Sequence, residues 1–135
     1  MQRILIIHTP DEDIKDIAAG IKKGAESRGF RAELKNTADT GNNVTFHPYH
    51  LVIAGSPTLG IFKGKIDKSL NKFLADCKRT VGQETYAFVK PRLFATNKAL
   101  KLVMAALEEQ GCVVKNFKAL SDQSSAVEFG KSIKI

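Results

Sequence analysis

Three segments of this chain hold residue types that bind anions, stack on rings or carry protons. The first is His8-Thr9-Pro10-Asp11-Glu12-Asp13, an imidazole and a hydroxyl followed by consecutive carboxylates. The second is Gly55-Ser56-Pro57-Thr58-Leu59-Gly60, with two hydroxyls between glycines. The third is Lys90-Pro91-Arg92-Leu93-Phe94-Ala95-Thr96, with two cations and an aromatic. Acids at the start of a helix cap it and complement its dipole, and Asp11, Glu12 and Asp13 are read that way. A metal site built from them needs further ligands, and no matching set is evident elsewhere. His47 and His50 form an H-x-x-H pair, half of a metal site, without Cys or carboxylate partners at useful spacing. His8 stands out by position, at the end of a strand. No Gly-x-Ser-x-Gly, phosphate-binding Walker loop, G-x-G-x-x-G fingerprint or Cys–His–Asp constellation supports hydrolase, nucleotide-kinase or dinucleotide chemistry. Cys77 and Cys112 make no CxxC and fall in apolar patterns, so they read as small buried residues.

The elements that must position these segments alternate. Residues 3–7 are a nearly all-apolar, Ile-rich run, the pattern of an interior parallel strand. An amphipathic helix follows, with Ile14, Ile17, Ala18, Ile21 and Ala25 on one face and Lys15, Lys22, Lys23 and Glu26 on the other. Gly29 closes it. Residues 30–34 alternate with polar positions, which suits a sheet edge. Residues 35–47 carry the turn residues Asn36, Asp39, Gly41, Asn42 and Asn43 and read as a loop, with a short extended piece at 44–46. A second buried strand spans 51–54 and ends in the Gly55–Gly60 turn. A helix over 65–77 presents Ile66, Leu70, Phe73, Leu74 and Cys77 to the core. Further strands fall at 86–89 and 113–117. Between them a helix capped by Thr96 or Asn97 turns Leu100, Val103, Met104 and Leu107 inward. A last helix lies within 121–134. This is an α/β chain of five strand–helix units, and its length suits a five-stranded parallel sheet of order 2-1-3-4-5 covered on both faces. Ligands of such sheets sit beyond the carboxyl ends of the strands, at the switch point between strands one and three. The three chemistry-bearing segments all begin there.

The chain has 135 residues, the size of one domain, taken as 1–135. With 43% hydrophobic and 26% charged residues it is neither disordered nor compositionally biased. No apolar run approaches the roughly 20 residues of a membrane-spanning helix, and no secretory signal is evident, so a reducing cytoplasm is expected. The net charge of +7 is uneven. Residues 1–61 hold seven cationic and seven acidic side chains, and residues 62–135 hold fourteen and seven. The lysines are dispersed and few aromatics interleave with them, so nucleic acid is not the expected partner.

The ordered pieces resemble a flavodoxin. The residues 17–29, ending in Gly29, resemble that family's first helix. Leu51-Val52-Ile53-Ala54-Gly55-Ser56-Pro57-Thr58 resembles its third strand and flavin-touching loop. Residues 99–114 resemble its fourth helix and fifth strand, and Ala126-Val127-Glu128-Phe129-Gly130-Lys131 its terminal helix. The resemblance covers nearly the whole chain. It implies the flavodoxin-like three-layer fold, FMN as cofactor, electron transfer as activity and a redox partner protein. It also implies Thr9, Ser56, Pro57, Thr58, Leu59 and Phe94 as the flavin-contacting residues.

The chain departs from the family in each loop. A T/S-x-T-G-x-T turn normally cradles the phosphate with backbone N–H groups at a helix start. Here the turn is shorter, lacks glycine, contains Pro10, which has no N–H, and keeps only the Thr9 hydroxyl. Leu59 stands where many flavodoxins place an aromatic. Lys90 and Arg92 reverse the usual acidity of the third loop, and Phe94 is the one aromatic there to cover a flavin. Two readings follow. One is an FMN-carrying electron-transfer domain in which the cofactor does the redox chemistry. The other is a cofactor-free flavodoxin-like domain that binds protein or anions through its basic second half.

Overall fold

The structure, a computed structural model, describes residues 1–39 and 44–135; the expected turn residues Gly41, Asn42 and Asn43 lie outside them. Five strands and four helices follow in the order β1 (Arg3–His8), α1 (Glu12–Ser27), β2 (Arg31–Asn36), β3 (Leu51–Pro57), α2 (Lys68–Asp76), β4 (Glu84–Lys90), α3 (Thr96–Glu109), β5 (Val113–Ala119) and α4 (Gln123–Lys131), so the chain has four strand–helix units and not the expected five: among the described residues no helix separates β2 from β3. All pair in parallel in the order β2-β1-β3-β4-β5, as the alternation predicts. Successive residues of the inner strands point to opposite faces. Leu5, Ile7, Val52, Ala54, Ala87 and Val89 therefore pack under α2 and α3. Ile4, Ile6, Leu51, Ile53, Tyr86 and Phe88 pack under α1 and α4. The edge strand β5 is the exception, since Val113 and Phe117 stay exposed beside Lys115 and Lys118. Those lysines and a register shift against β4 blunt an otherwise pairable edge.

Several boundaries differ from the periodicity, each for a local reason. Helix α2 begins at Lys68, not Lys65, because the Asp67 side chain accepts the Ser69 N–H at 2.9 Å while Lys65 is held in a bridge to Leu59. Lys65 therefore does not share a helical face with Lys68 and Lys72. Helix α3 is preceded by Ala95 in the left-handed region, and neither Thr96 nor Asn97 caps it; Thr96 Oγ1 instead donates to the Arg92 carbonyl at 2.9 Å. Strand β3 runs on through Pro57, so Gly55, Ser56 and Pro57 are strand residues. Helix α4 is shorter than 121–134 because Asp122 and Ser125 form a reciprocal cap. The extended piece at 44–46 reduces to one bridge, from Thr45 to Lys78. Gly29, at φ +89°, closes α1 in a Schellman turn, with the Phe30 N–H reaching the Ala25 carbonyl.

Two contacts set how tightly the layers close. Helices α1 and α4 meet backbone to backbone. A Cβ on Gly24 would strike the Val127 carbonyl oxygen, and one on Gly130 the Ile21 carbonyl. At the amino end of the sheet, Glu33 accepts from Arg3 at 2.7 Å and from the Tyr49 hydroxyl at 2.6 Å, and Arg3 lies over the Tyr49 ring. The Arg3 N–H also donates to His50 Nδ1 at 3.1 Å. This clasp ties the segment before β3 onto β1 and β2. Burial, and then the bond to Glu33, push the Tyr49 phenol up to about 12. The Tyr49 hydroxyl, then Arg3, hold the Glu33 carboxyl below its ordinary value.

Gly24→Ala should destabilise the chain by about 2 kcal/mol in urea unfolding, since overpacking outweighs the helix propensity of alanine. A gain of stability would show that α1 and α4 do not touch there. For Tyr49, the raised phenol means that its contribution is complete below the unfolded value of about 10 and is lost as pH rises through the folded value. Tyrosinate absorbance should show one phenol ionising near 12. Glu33→Gln should bring it down, and ionisation of every tyrosine near the unfolded value would contradict the clasp.

Candidate functional site

The parallel register brings the three chemistry-bearing segments to one level. His8 pairs with Gly55, Ser56 with Val89 and Pro57 with Lys90. Loop one (residues 9–11), loop two (58–67) and loop three (91–95) therefore leave the carboxyl edge side by side at the β1/β3 switch point.

Loop one is built from a buried start and an exposed acidic end. Thr9 is fully buried, and its hydroxyl has no hydrogen-bond partner among the described residues. His8 is buried as well and donates from Nδ1 to the Thr9 carbonyl at 2.9 Å. Asp11 occupies the N-cap of α1, but its side chain makes no capping bond; Glu12 and Asp13 supply negative charge to the first turn. Asp13 instead meets Lys90 Nζ at 2.7 Å, across the top of the sheet. Beside this pair an open crevice of about 380 Å³ is lined by Asp13, Asp16 and Asp122 with Lys90 as its cation. No group of three or more metal-ligating side chains occurs among the described residues.

Loop two begins with two inward hydroxyls. Ser56 is buried; it accepts the Asp67 N–H at 3.0 Å and donates to the Pro57 carbonyl. Thr58 is buried and donates to the Lys90 carbonyl at 2.8 Å. These hydroxyls hold the loops together. Leu59 and Lys65 then exchange two backbone hydrogen bonds of 2.7 Å, closing a tip whose ends, Gly60 and Gly64, have φ of +77° and +62°. The tip presents Ile61, Phe62 and Lys63 to solvent. The Gly55 position, read in the sequence as part of the turn, clears space instead for the Phe88 ring, which a Cβ would strike.

Loop three packs on that tip. The Phe62 and Phe94 rings lie 5.3 Å apart at 37°. Gly64 sits against Ala95 and Lys98 so closely that a Cβ there would come within 2.9 Å of the Ala95 carbonyl oxygen. Ala95 itself holds φ +68°, a strained value for a residue with a side chain. Phe62 and Phe94 thus form an exposed aromatic pair, and Leu59, Ile61 and Leu93 of the same two loops are exposed as well. The sequence reading places Phe94 there as the one aromatic, with Leu59. Phe62 is the aromatic it misses, and the signal for it is an Ile-Phe pair bracketed by glycines in a turn.

The expected site residues therefore divide. Leu59 and Phe94 expose their side chains, and Pro57 is half-buried. Ser56 and Thr58 spend their hydroxyls on the protein. Thr9 keeps an unspent hydroxyl one position beyond the His8–Gly55 pair. Both thiols are free, and burial pushes Cys77 up to about 12 and Cys112 to about 11. No helix among the described residues is long and apolar enough to cross a membrane.

The strand order and the helical layers on both faces of the sheet are the flavodoxin-like fold. No protein-family model and no curated protein sequence matches the chain. Solved structures do. Oxidised flavodoxin 1 from Bacillus cereus superposes with a TM-score of 0.73 at 16% identity, over 98% of this chain and 100% of that one. The two-electron reduced flavodoxin of Megasphaera elsdenii gives 0.70 at 14% identity, over 95% and 96%. A flavodoxin from the domain Archaea gives 0.67 at 15%, over 96% and 94%.

Replacing Ala95 with glycine removes the left-handed strain beside Phe94 and keeps the turn. Ala95→Gly should raise stability by about 1 kcal/mol in chemical unfolding, with the Phe62–Phe94 packing retained. A loss of similar size would mean that the Ala95 methyl, not its backbone, holds loop two.

Proposed function

We propose that the protein is a flavin-binding electron carrier of the cytoplasm that grips its cofactor by the ring and not by the phosphate. The exposed Leu59–Phe62–Phe94 surface at the switch point carries this reading. A planar ring inserted between the two phenyl groups would need about 7 Å between their faces, at 3.5–4 Å for each contact. At 5.3 Å between centroids the pair is in mutual contact, so a flavin ring packs on their outer faces with Leu59 beside it.

The chain does not suit a phosphate. Pro10 lacks an N–H, loop one has no glycine, and Asp11 and Glu12 carry exposed negative charge where a phosphate near −2 would lie. At a surface-like dielectric, like charges a few ångströms apart repel by more than about 1 kcal/mol. Lys90, which reaches the start of α1, is engaged with Asp13. Thr9 supplies one buried hydroxyl in place of a nest of amides.

FMN or another flavin supplies the redox chemistry when bound. The polypeptide excludes water from one side of the ring with Leu59, Phe62 and Phe94 and leaves the other open for electron exchange. Lys63, Lys65, Arg92 and Lys98 put positive charge around that position and favour added negative charge there. The likeness to flavodoxins crystallised oxidised and studied after two-electron reduction supports the same reading.

Fluorescence quenching during titration with FMN and with riboflavin tests it. The two flavins should bind within about threefold of each other. Phe62→Ala with Phe94→Ala should weaken both by roughly tenfold or more, the loss of a buried aromatic contact. FMN binding far tighter than riboflavin would show that loop one cradles phosphate. Quenching of neither flavin would remove the electron-carrier reading.

A further inference from the structure

Loops two and three expose apolar side chains that the flavin reading leaves unused, and the same loops are rich in cations. Ile61 and Leu93 are 65% and 88% exposed. Loops two and three with the first turns of their helices, residues 59–68 and 90–98, carry Lys63, Lys65, Lys68, Lys90, Arg92 and Lys98 against one carboxylate, Asp67. Asp67 is turned inward onto the Ser69 N–H. The Gly64–Lys98 packing places Lys98 beside the loop-two tip, and the Leu59–Lys65 bonds fix that tip in one shape. A rigid apolar centre with a charged rim is the anatomy of a protein-docking surface. Loop one, at the same edge, carries the opposite sign through Asp11 and Glu12, with the Lys90–Asp13 pair between the two zones.

We infer that loops two and three dock an acidic protein, its carboxylates facing Lys63, Lys65, Arg92 and Lys98 and its apolar side chains covering Ile61 and Leu93. The divided charge selects protein over membrane. An anionic bilayer is uniformly negative, and seating the whole edge on it would press Asp11 and Glu12 against like charge. A protein surface can be acidic opposite one zone and neutral or basic opposite the other. The partner's role as electron donor or acceptor rests on the flavin reading above; the docking itself does not, and it is measured on the flavin-free chain.

The probes are an acidic blue-copper protein and, as the opposite sign, a basic c-type cytochrome, added to isotope-labelled chain and followed by amide chemical shifts. The acidic probe should perturb residues 59–65 and 92–98. Raising the ionic strength from about 0.02 to about 0.2 M should weaken it roughly tenfold. Lys63→Glu with Lys98→Glu should weaken it by a similar factor. Lys115→Glu with Lys118→Glu, the same charge change on β5, should leave it within about twofold. Equal loss in both variants, tighter binding of the cytochrome, or no shift in the two loops would overturn the inference. So would capture by phosphatidylserine vesicles that depends on Ile61 and Phe62. Flavin titration of the same samples separates the two ideas. Docking without flavin quenching keeps this surface and removes the electron-carrier reading, and quenching without docking does the reverse.

Discussion

The Phe88 ring lies against the backbone of β3, in the place where Gly55 has no side chain. A side chain at position 55 would force β3 and β4 apart or shift their pairing, because protein interiors are packed too closely to absorb it. The pairing it permits sets Ser56 against Val89 and Pro57 against Lys90. From there the consequences run outward. Thr58 can reach the Lys90 carbonyl, loop two can fold back on itself from Leu59 to Lys65, and its tip can meet Phe94. The apolar surface at the switch point is thus supported by strand register, two strand-edge hydroxyls and one closed turn.

Polar groups near the site act as fasteners more than as ligands. Ser56 accepts the N–H of Asp67, whose side chain caps α2 at Ser69, and Thr58 joins loop two to the end of β4. Most buried hydroxyls are hydrogen-bonded, and Ser56 and Thr58 find backbone partners, whereas the Thr9 hydroxyl has none among the described residues. The recognition chemistry that remains at the surface is therefore apolar contact and long-range charge. Apolar contact suits a flat ring, and the cations of loops two and three suit negative charge near it. The acids of loop one would act against a phosphate while favouring the start of α1. One turn cannot serve both ends well, and here the helix has the advantage.

The opposite end of the sheet shows a different economy. There the Arg3–Glu33–Tyr49 clasp holds a long connection with side-chain bonds, and the α1–α4 layer is closed by glycines that let two backbones meet. The amino end is tied together by side-chain bonds and close backbone contact, although Met1 and Val81 stay exposed there, and the carboxyl end carries the exposed Phe62–Phe94 pair.

Much of this was legible in the residues alone. Buried runs of Ile and Val alternating with amphipathic periods specify parallel strands under two helical layers, because each pattern can bury its apolar residues in only one way. Gly29 and the heptad-like face of α1 are readable because their partners lie within a few residues. The position of the three loops at one edge also follows from strand order. Other features depended on groups far apart in sequence. Lys65 leaves α2 because Leu59 binds it, Ala95 takes a left-handed conformation under Gly64, and Phe62 joins the site because Phe94, more than thirty residues on, meets it. The inward turn of the Ser56 and Thr58 hydroxyls belongs to the same class. Local pattern determines which elements form; the contacts between loops are settled only when the register of β3 and β4 brings them into reach.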